Sequence, residues 1–147
     1  MRIFIGIDIP EHIKNDLNME ADKFLKLTQA YKKIPKDNYH LTLKFIGEID
    51  LKQIDDLNQI LKTNLETFKP IEVELKDLGF FKKKDGLILW LGVLKGIGML
   101  KSIHKTLDPI LSQTFNLEKA VFSPHVTLAK KLQIDDETNL RKNKTQA

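Results

Sequence analysis

A strict alternation of apolar and polar residues predicts the first strands of this chain. Isoleucine occupies every second position from Ile3 to Ile9, a pattern typical of a strand with one buried face, because successive side chains of a strand point to opposite sides. Residues 71–76 alternate in the same way. Residues 87–93 are apolar on both sides, so we expect a central strand that is covered on both faces. Residues 31–39 are predicted to form a polar loop.

Apolar residues at steps of three and four predict three helices. The first runs from about Pro10 to Leu27, and the second runs from Asp50 to a point before Pro70. The third covers residues 97–111 and contains a proline, which removes a hydrogen-bond donor from the helix interior. We therefore expect Pro109 to kink this helix or to restart it, with Asp108 as the new cap.

A short motif occurs twice, and each copy has the alternation of a strand. His40-Leu41-Thr42-Leu43 recurs 85 positions further on as His125-Val126-Thr127-Leu128. In both copies the aliphatic residues share one face, and the imidazole and the hydroxyl share the other. Continued along the first copy, the alternation places Phe45 on the buried face and Lys44 on the open face.

The spacing of the motifs extends to their neighbours and predicts an internal duplication. Ile3 and Leu87, which begin the two leading strands, are 84 positions apart, and Ile49-Asp50 has a counterpart 85 positions later in Ile134-Asp135. We expect residues 1–147 to form a single domain of two lobes, each contributing one motif. Residues 135–147 are polar with few apolar residues, and residues 132–147 are predicted to form a short helix or a frayed tail.

The composition excludes several classes of protein and of functional site. At 147 residues, with 41% hydrophobic and 30% charged residues, the chain is typical of a soluble globular domain. Cysteine is absent, which excludes disulfides, thiolate metal sites and a cysteine nucleophile. Asp8 and Pro10 interrupt the N-terminal apolar run, which is too short for a signal peptide or a membrane span, so we expect a cytoplasmic protein.

The net charge of +4 comes almost wholly from lysine and suits an anionic partner such as RNA. Three lysine clusters are candidate phosphate contacts, although the first two are better explained as solvated loop tips and strand ends. They are Lys32-Lys33, Lys82-Lys83-Lys84 and Lys130-Lys131.

Two histidines on facing strands are suited to displacement at phosphorus. One imidazole can accept a proton from the attacking oxygen while a second, protonated imidazole donates one to the leaving oxygen. A threonine two residues further along the same strand face can donate its hydroxyl to a phosphate oxygen. The histidines lack metal-ligand spacing and nearby carboxylates, so the sequence suggests neither a metal site nor a cofactor. A single His-x-Thr would mean little, but two copies at matched positions favour a paired site.

Residues 2–10, 40–47 and 122–130 together resemble the two-histidine phosphoesterases. The nearest branch is the RNA 2′,3′-cyclic phosphodiesterases, also called 2′-5′ RNA ligases, and the likeness covers most of residues 1–131. The resemblance implies a bilobal α+β fold with a pseudo-twofold axis, in which two antiparallel sheets face a central cleft and helices cover the outer faces. It also implies metal-independent opening of a 2′,3′-cyclic phosphate at an RNA 3′ end to a 2′-phosphate.

The resemblance assigns roles to the residues of the two motifs. His40 and His125 would be the catalytic pair, with His125 as base and His40 as acid, and Thr42 and Thr127 would hold the phosphate. Further candidate substrate contacts are Lys44, Lys130, Phe4 and Phe122. Lys130 departs from the family, which often has arginine there, and a lysine cannot form the bidentate fork of a guanidinium. Family members also usually continue for some tens of residues beyond the second motif.

Other functions fit the same motifs. The site could open other cyclic phosphates, cleave 2′-5′ linkages or join RNA ends. A non-catalytic module that binds RNA ends would keep the cleft, although binding alone would not require two titratable groups. A structural domain with coincidental histidines is disfavoured by the matched offsets. We expect the protein to act as a monomer.

Overall fold

The fold consists of two antiparallel sheets with helices packed on them. The computed structural model describes residues 1–117 and 121–134. In chain order the elements within these ranges are β1 (Arg2–Asp8), α1 (Glu11–Leu25), β2 (Ala30–Lys33), β3 (His40–Glu48), α2 (Leu51–Leu65), β4 (Glu74–Lys83), β5 (Gly86–Lys95), α3 (Ile97–Phe115) and β6 (His125–Gln133). A 3₁₀ turn at Lys36–Asn38 precedes β3. The predicted α+β class with two antiparallel sheets is confirmed.

The sheets are of unequal size. β1 and β3 form a two-stranded sheet, and the other four strands form a sheet in the order β2-β6-β5-β4. The prediction of a loop at residues 31–39 is wrong at its start, because β2 pairs with β6. The sequence Ala-Tyr-Lys-Lys of β2 has no buried face, so its hydrogen bonds to β6 define the strand rather than hydrophobic burial. β4 starts later than residue 71 and continues past a bulge at Asp77, where the alternation is interrupted.

The predicted duplication is visible in the pairing of the strands. The pairing of β1 with β3 matches the pairing of β5 with β6. Equivalent residues are 84 positions apart in β1 and β5, and 85 positions apart in β3 and β6. Both ladders skip one residue of the His strand at the same place, Leu43 in β3 and Leu128 in β6. The matching pairs are Asp8–His40 with Gly92–His125, Gly6–Thr42 with Trp90–Thr127, and Ile5–Lys44 with Leu89–Ala129.

Because of these bulges, the prediction of which strand face the residues after the first motif occupy is wrong. A bulge inserts one extra residue into a strand and reverses the faces of the side chains beyond it. Phe45 was predicted on the buried face but is 69% exposed, and Lys44 was predicted on the open face but is only 8% exposed. Ala129 and Lys130, their counterparts in β6, are likewise buried and exposed, respectively.

Each helix that follows a leading strand packs on the sheet containing the other motif. α1 contacts β6 of the four-stranded sheet, and α3 contacts β3 of the two-stranded sheet. The buried faces of these helices supply core residues such as Phe24 and Leu107. Because α1 and β2 contact β6, and α3 contacts β3, residues from both halves of the sequence pack on each sheet. The two-lobed division of residues 1–147 stays a prediction.

Three further predictions need correction. β5 is central, but it is fully buried only on the face of Leu89, since Trp90 on the other face is half-buried. α3 continues through Pro109, so the predicted restart with Asp108 as the cap is wrong, whereas the alternative of a kink stays a prediction. The carboxylate of Asp108 instead binds Lys44. The predicted helix or tail at 132–147 begins within β6, and its part beyond Ile134 lies outside the described residues.

Candidate active site

The two His-x-Thr motifs line one cavity. β3 and β6 belong to different sheets but contact each other, and their open faces border a cavity of about 430 Å³. His40 and Thr42 line it from one sheet, and His125 and Thr127 line it from the other. All four side chains are half-buried, so each is both held by the protein and accessible to a ligand. Their catalytic and phosphate-binding roles stay predictions.

Both histidines have the same hydrogen bond at Nδ1. In His40 this atom lies 2.8 Å from the carbonyl oxygen of Asn38, and in His125 it lies 2.6 Å from the carbonyl oxygen of Ser123. A carbonyl oxygen can only accept, so Nδ1–H is the donor in each case. The neutral imidazole therefore carries its lone pair on Nε2, and this is the atom that can take up or release a proton.

Each histidine is also held by aromatic rings. Phe4 stacks on His40 with ring centroids 4.4 Å apart, whereas Phe81 meets His125 edge to face at 5.3 Å. Trp90 packs on Phe81 at 5.2 Å and completes the second cluster. Phe81 and Trp90 were not predicted as site residues, because both lie in β4 and β5, far from the motifs in sequence. Their alternation places them on one sheet face, but only the pairing of β5 with β6 brings that face to His125.

Two glycines make room for these aromatic rings. A Cβ on Gly79 would lie 2.3 Å from the indole of Trp90, which lies directly against the backbone of β4. A Cβ on Gly6 would lie 2.9 Å from the ring of Phe4. Any larger residue at either position would displace a ring that contacts a motif histidine, so these glycines were a usable sequence signal for the site.

The rim of the cavity contains aromatic and cationic side chains. Phe4, Phe45 and Lys130 line it together with residues of β2. Phe45 was predicted to lie on the buried face of its strand, but the bulge in β3 brings it to the cleft. Phe122 lies elsewhere, in an adjoining cavity of about 280 Å³ that shares Thr42 and His125 with the first. The roles of Phe4, Phe122 and Lys130 in substrate contact stay predictions.

A buried ion pair lies behind the first motif and joins β3 to α3. Lys44 Nζ donates to the carboxylate of Asp108, and the two side chains are 8% and 15% exposed. The hydrogen bond from Lys44 is the main reason that the pKa of Asp108 is lowered, against the opposing effect of burial. Lys44 borders the adjoining cavity, so its role in substrate contact stays a prediction, but its ammonium is already engaged by Asp108.

His104 adjoins this ion pair and is a core-edge histidine. Its ring stacks on Phe122 with centroids 4.4 Å apart and an interplanar angle of 4°, and its Nε2 lies 3.9 Å from the carboxylate of Asp108. Burial lowers the pKa of His104 despite the nearby carboxylate, so the neutral ring is favoured. This neutral ring packs behind Phe122, three residues before His125.

A larger cavity of about 600 Å³ lies away from both histidines and is less suited to a phosphate. Its walls are mostly apolar, and one lysine, Lys95, faces four carboxylates, which would repel an anion. The four are Asp8, Asp16, Glu72 and Glu74. The cavity with the His-x-Thr pairs is therefore the better candidate site.

In residues 1–117 and 121–134 no group of three or more His, Asp or Glu side chains is arranged to hold a metal ion. None of the helices in these ranges is long and apolar enough to cross a membrane.

Comparison with known proteins is consistent with this geometry. The 2′-5′ RNA ligase superfamily profile matches residues 13–143. An RNA 2′,3′-cyclic phosphodiesterase of Methanocaldococcus jannaschii is 32% identical over 142 residues, which are 96% of this chain and 78% of the relative. A protein of the same name from Bacillus subtilis is 31% identical over 134 residues, covering 90% of this chain and 73% of the relative.

Solved structures show the same fold at low sequence identity. The crystal structure of E. coli LigT complexed with 3′-AMP superposes with a TM-score of 0.72 at 23% identity, covering 90% of this chain and 73% of LigT. A crystal structure of a Thermus thermophilus protein superposes with a TM-score of 0.69 at 20% identity, covering 88% and 74% of the two chains. The resemblance drawn from residues 2–10, 40–47 and 122–130 is thus confirmed. With most of its length matched by the profile and by these relatives, the chain belongs to the 2′-5′ RNA ligase superfamily.

Proposed function

We propose that this protein is a metal-independent RNA 2′,3′-cyclic phosphodiesterase that opens a terminal cyclic phosphate to a 2′-phosphate. The observation that carries this proposal is the cavity lined by both His-x-Thr pairs, in which each histidine donates from Nδ1 to a carbonyl and keeps Nε2 for proton transfer. Several relatives named as RNA 2′,3′-cyclic phosphodiesterases support the choice of substrate.

The proposed reaction is an in-line displacement at phosphorus by water. One imidazole accepts a proton as the water oxygen bonds to phosphorus, and the imidazolium opposite gives its proton to the 3′ oxygen as the P–O3′ bond breaks. The products are a 2′-phosphate and a 3′-hydroxyl. The two rings have equivalent hydrogen bonds, so these bonds do not distinguish the base from the acid. We therefore assign His125 as the base and His40 as the acid on the family resemblance.

The proton transfers use imidazoles alone, so the proposed reaction needs no metal-bound water. The test is incubation with adenosine 2′,3′-cyclic phosphate in excess EDTA, with the product identified by phosphorus NMR. We expect turnover to adenosine 2′-phosphate at the rate seen without EDTA. Accumulation of the 3′-phosphate would contradict the proposed direction of opening, and binding without turnover would indicate a module that only binds RNA ends.

The substrate we propose is an RNA 3′ end carrying the cyclic phosphate, with the protein acting as a monomer. A single chain supplies both histidines and both threonines to one cavity, so one copy holds a complete site. The net charge of +4 favours association with a polyanion.

Replacing Thr42 or Thr127 with valine is expected to weaken phosphate binding while the fold is retained. Valine keeps the β-branched shape that suits a strand but removes the hydroxyl. Loss of one hydrogen bond to a charged group costs about 1.5–3 kcal/mol of binding free energy. The dissociation constant for adenosine 2′-phosphate, measured by calorimetry, checks this. Thr63→Val, on an exposed position of α2, is the matched control and should bind as the wild type does.

A further inference from the structure

Two lysines stand directly opposite each other on neighbouring strands at the rim of the active-site cavity. Lys32 of β2 pairs in register with Lys130 of β6. Both are exposed, and both line the cavity that contains His40 and His125. We refer to Lys32 and Lys130 as the rim lysines.

The contacts of the neighbouring residue show which way the rim lysines face. Lys33 also lines this cavity, but its ammonium lies 2.6 Å from the carboxylate of Asp22 on α1, so the charged end of Lys33 is directed toward the helix. Its register partner in β6 is the fully buried Ala129. Because successive side chains of a strand point to opposite faces, Lys32 and its partner Lys130 point away from α1 and toward the cleft.

This arrangement is electrostatically unfavourable in the free protein. Like charges directly opposite each other on antiparallel strands are destabilising. Lys33 has Asp22 as a partner, but neither rim lysine has a carboxylate within 4.0 Å in the part of the chain that the structure describes. An anion bound between the two ammonium groups would remove the repulsion and gain two charge-assisted contacts.

We propose that the rim lysines form a second phosphate subsite, which binds the phosphate on the 5′ oxygen of the terminal nucleotide. This inference rests on the proposed function. A cyclic phosphate occupies the 2′ and 3′ oxygens of the last ribose, so the RNA chain continues from that residue only through its 5′ oxygen. With the cyclic phosphate held by the His-x-Thr pairs, the next anionic group of the substrate is the 5′ phosphate, and the rim lysines are the cations on the cavity wall that lack a carboxylate partner among the described residues.

The subsite distinguishes an RNA end from a nucleoside cyclic phosphate. Adenosine 2′,3′-cyclic phosphate has no 5′ phosphate and cannot occupy it, whereas a dinucleotide ending in a cyclic phosphate can. A 5′-phosphorylated adenosine 2′,3′-cyclic phosphate supplies the same group without an RNA chain. The three substrates therefore separate binding of a 5′ phosphate from binding of a second nucleoside.

The experiment compares kcat/KM for these three substrates in the wild type and in Lys32→Ala. We expect the wild type to prefer both substrates with a 5′ phosphate, and Lys32→Ala to lower this preference about tenfold, the effect of losing one hydrogen bond to a charged group. Lys32→Gln, which keeps most of the apolar stem, should behave in the same way. Lys52→Ala, at an exposed position on α2 and with the same change in net charge, should keep the wild-type preference.

The outcomes separate the subsite from the proposed function. The proposed subsite is wrong if the wild type turns over all three substrates without preference, or if Lys32→Ala lowers kcat/KM for all three by the same factor. Neither result would contradict the proposed phosphodiesterase activity. A preference for the dinucleotide alone would assign the discrimination to the second nucleoside and also overturn the subsite. Failure of the wild type to open any of the three would contradict the proposed function itself. Removing one of two opposed charges should leave the melting temperature at or above that of the wild type, which checks folding.

Discussion

Replacing His40 or His125 with alanine is expected to lower kcat for a 2′,3′-cyclic nucleotide by about 10²- to 10⁴-fold, the usual contribution of a positioned general acid or base. KM should change less, because the proposed phosphate contacts of Thr42 and Thr127 are retained in either variant. Steady-state kinetics checks this. His12→Ala is the matched control, since His12 is exposed on α1 and does not line the cavity, and this variant should turn over at the wild-type rate.

A substrate with sulfur in place of the 3′ oxygen decides which histidine is the acid. A thiolate is a far better leaving group than an alkoxide and needs little protonation, so it should restore turnover to the variant that lost the acid. We expect rescue of His40→Ala and not of His125→Ala. The opposite pattern would reverse the assignment, and rescue of neither variant would count against the acid–base scheme.

The pH dependence of kcat/KM should be bell-shaped in the wild type. One limb reports the group that must be neutral and the other the group that must be protonated, and both limbs belong to the coupled pair rather than to either residue alone. Each single alanine variant should lose one limb of the bell. A flat profile in the wild type would contradict two-histidine catalysis.

Replacing Asp108 with alanine is expected to lower the free energy of unfolding by about 3–5 kcal/mol, because it removes a carboxylate that binds the buried ammonium of Lys44. Urea unfolding followed by circular dichroism measures the loss. The control is Glu72→Ala, which breaks the exposed pair with Lys95 and should cost no more than about 1 kcal/mol. The double variant Lys44→Met with Asp108→Leu should recover most of the stability. If it remains as unstable as Asp108→Ala, packing rather than the charge that stays on Lys44 is the cause.

The same ion pair makes stability depend on pH in a defined direction. The pKa of Asp108 is lowered in the folded protein, mainly by the hydrogen bond from Lys44, so its contribution is present above the unfolded pKa of about 4 and is lost as the pH falls through the folded value. The pKa of His104 is also lowered, here by burial, and its contribution declines as the pH falls below about 6.5. Acidification should therefore destabilise the wild type, and Asp108→Asn should lose less stability than the wild type below pH ~4.

Features that depend only on neighbouring residues were predictable from the sequence. The alternation around His40 and His125 predicted two strands with the imidazole and the hydroxyl on one face, because the twofold period of a strand is a property of neighbouring residues. The predicted start of the second helix at Asp50 is also confirmed, since Asp50 and Gln53 form both hydrogen bonds of a capping box there. The equal spacing of the motifs was enough to predict the duplication.

What the sequence could not provide was the register between distant strands. β2 has no hydrophobic pattern and exists because the edge of β6 offers hydrogen bonds, so nothing within residues 31–39 indicated it. The bulge after Thr42 exchanges the faces of Lys44 and Phe45. A bulge is defined by the pairing with a second strand, so the alternation within one strand gives no sign of the extra residue.

The residues of the candidate site were thus predictable from the sequence, whereas their surroundings were determined by the tertiary structure. Two imidazoles beside two hydroxyls are recognisable in the chain itself, because the proposed acid–base and phosphate-binding roles were suggested by residue type and spacing. The aromatic ring of Phe81 on His125, the counter-ion of Lys44 and the opposition of Lys32 to Lys130 join residues many positions apart. Such contacts depend on which strands and helices pack together, and that is decided by burial of the whole core rather than by any local pattern.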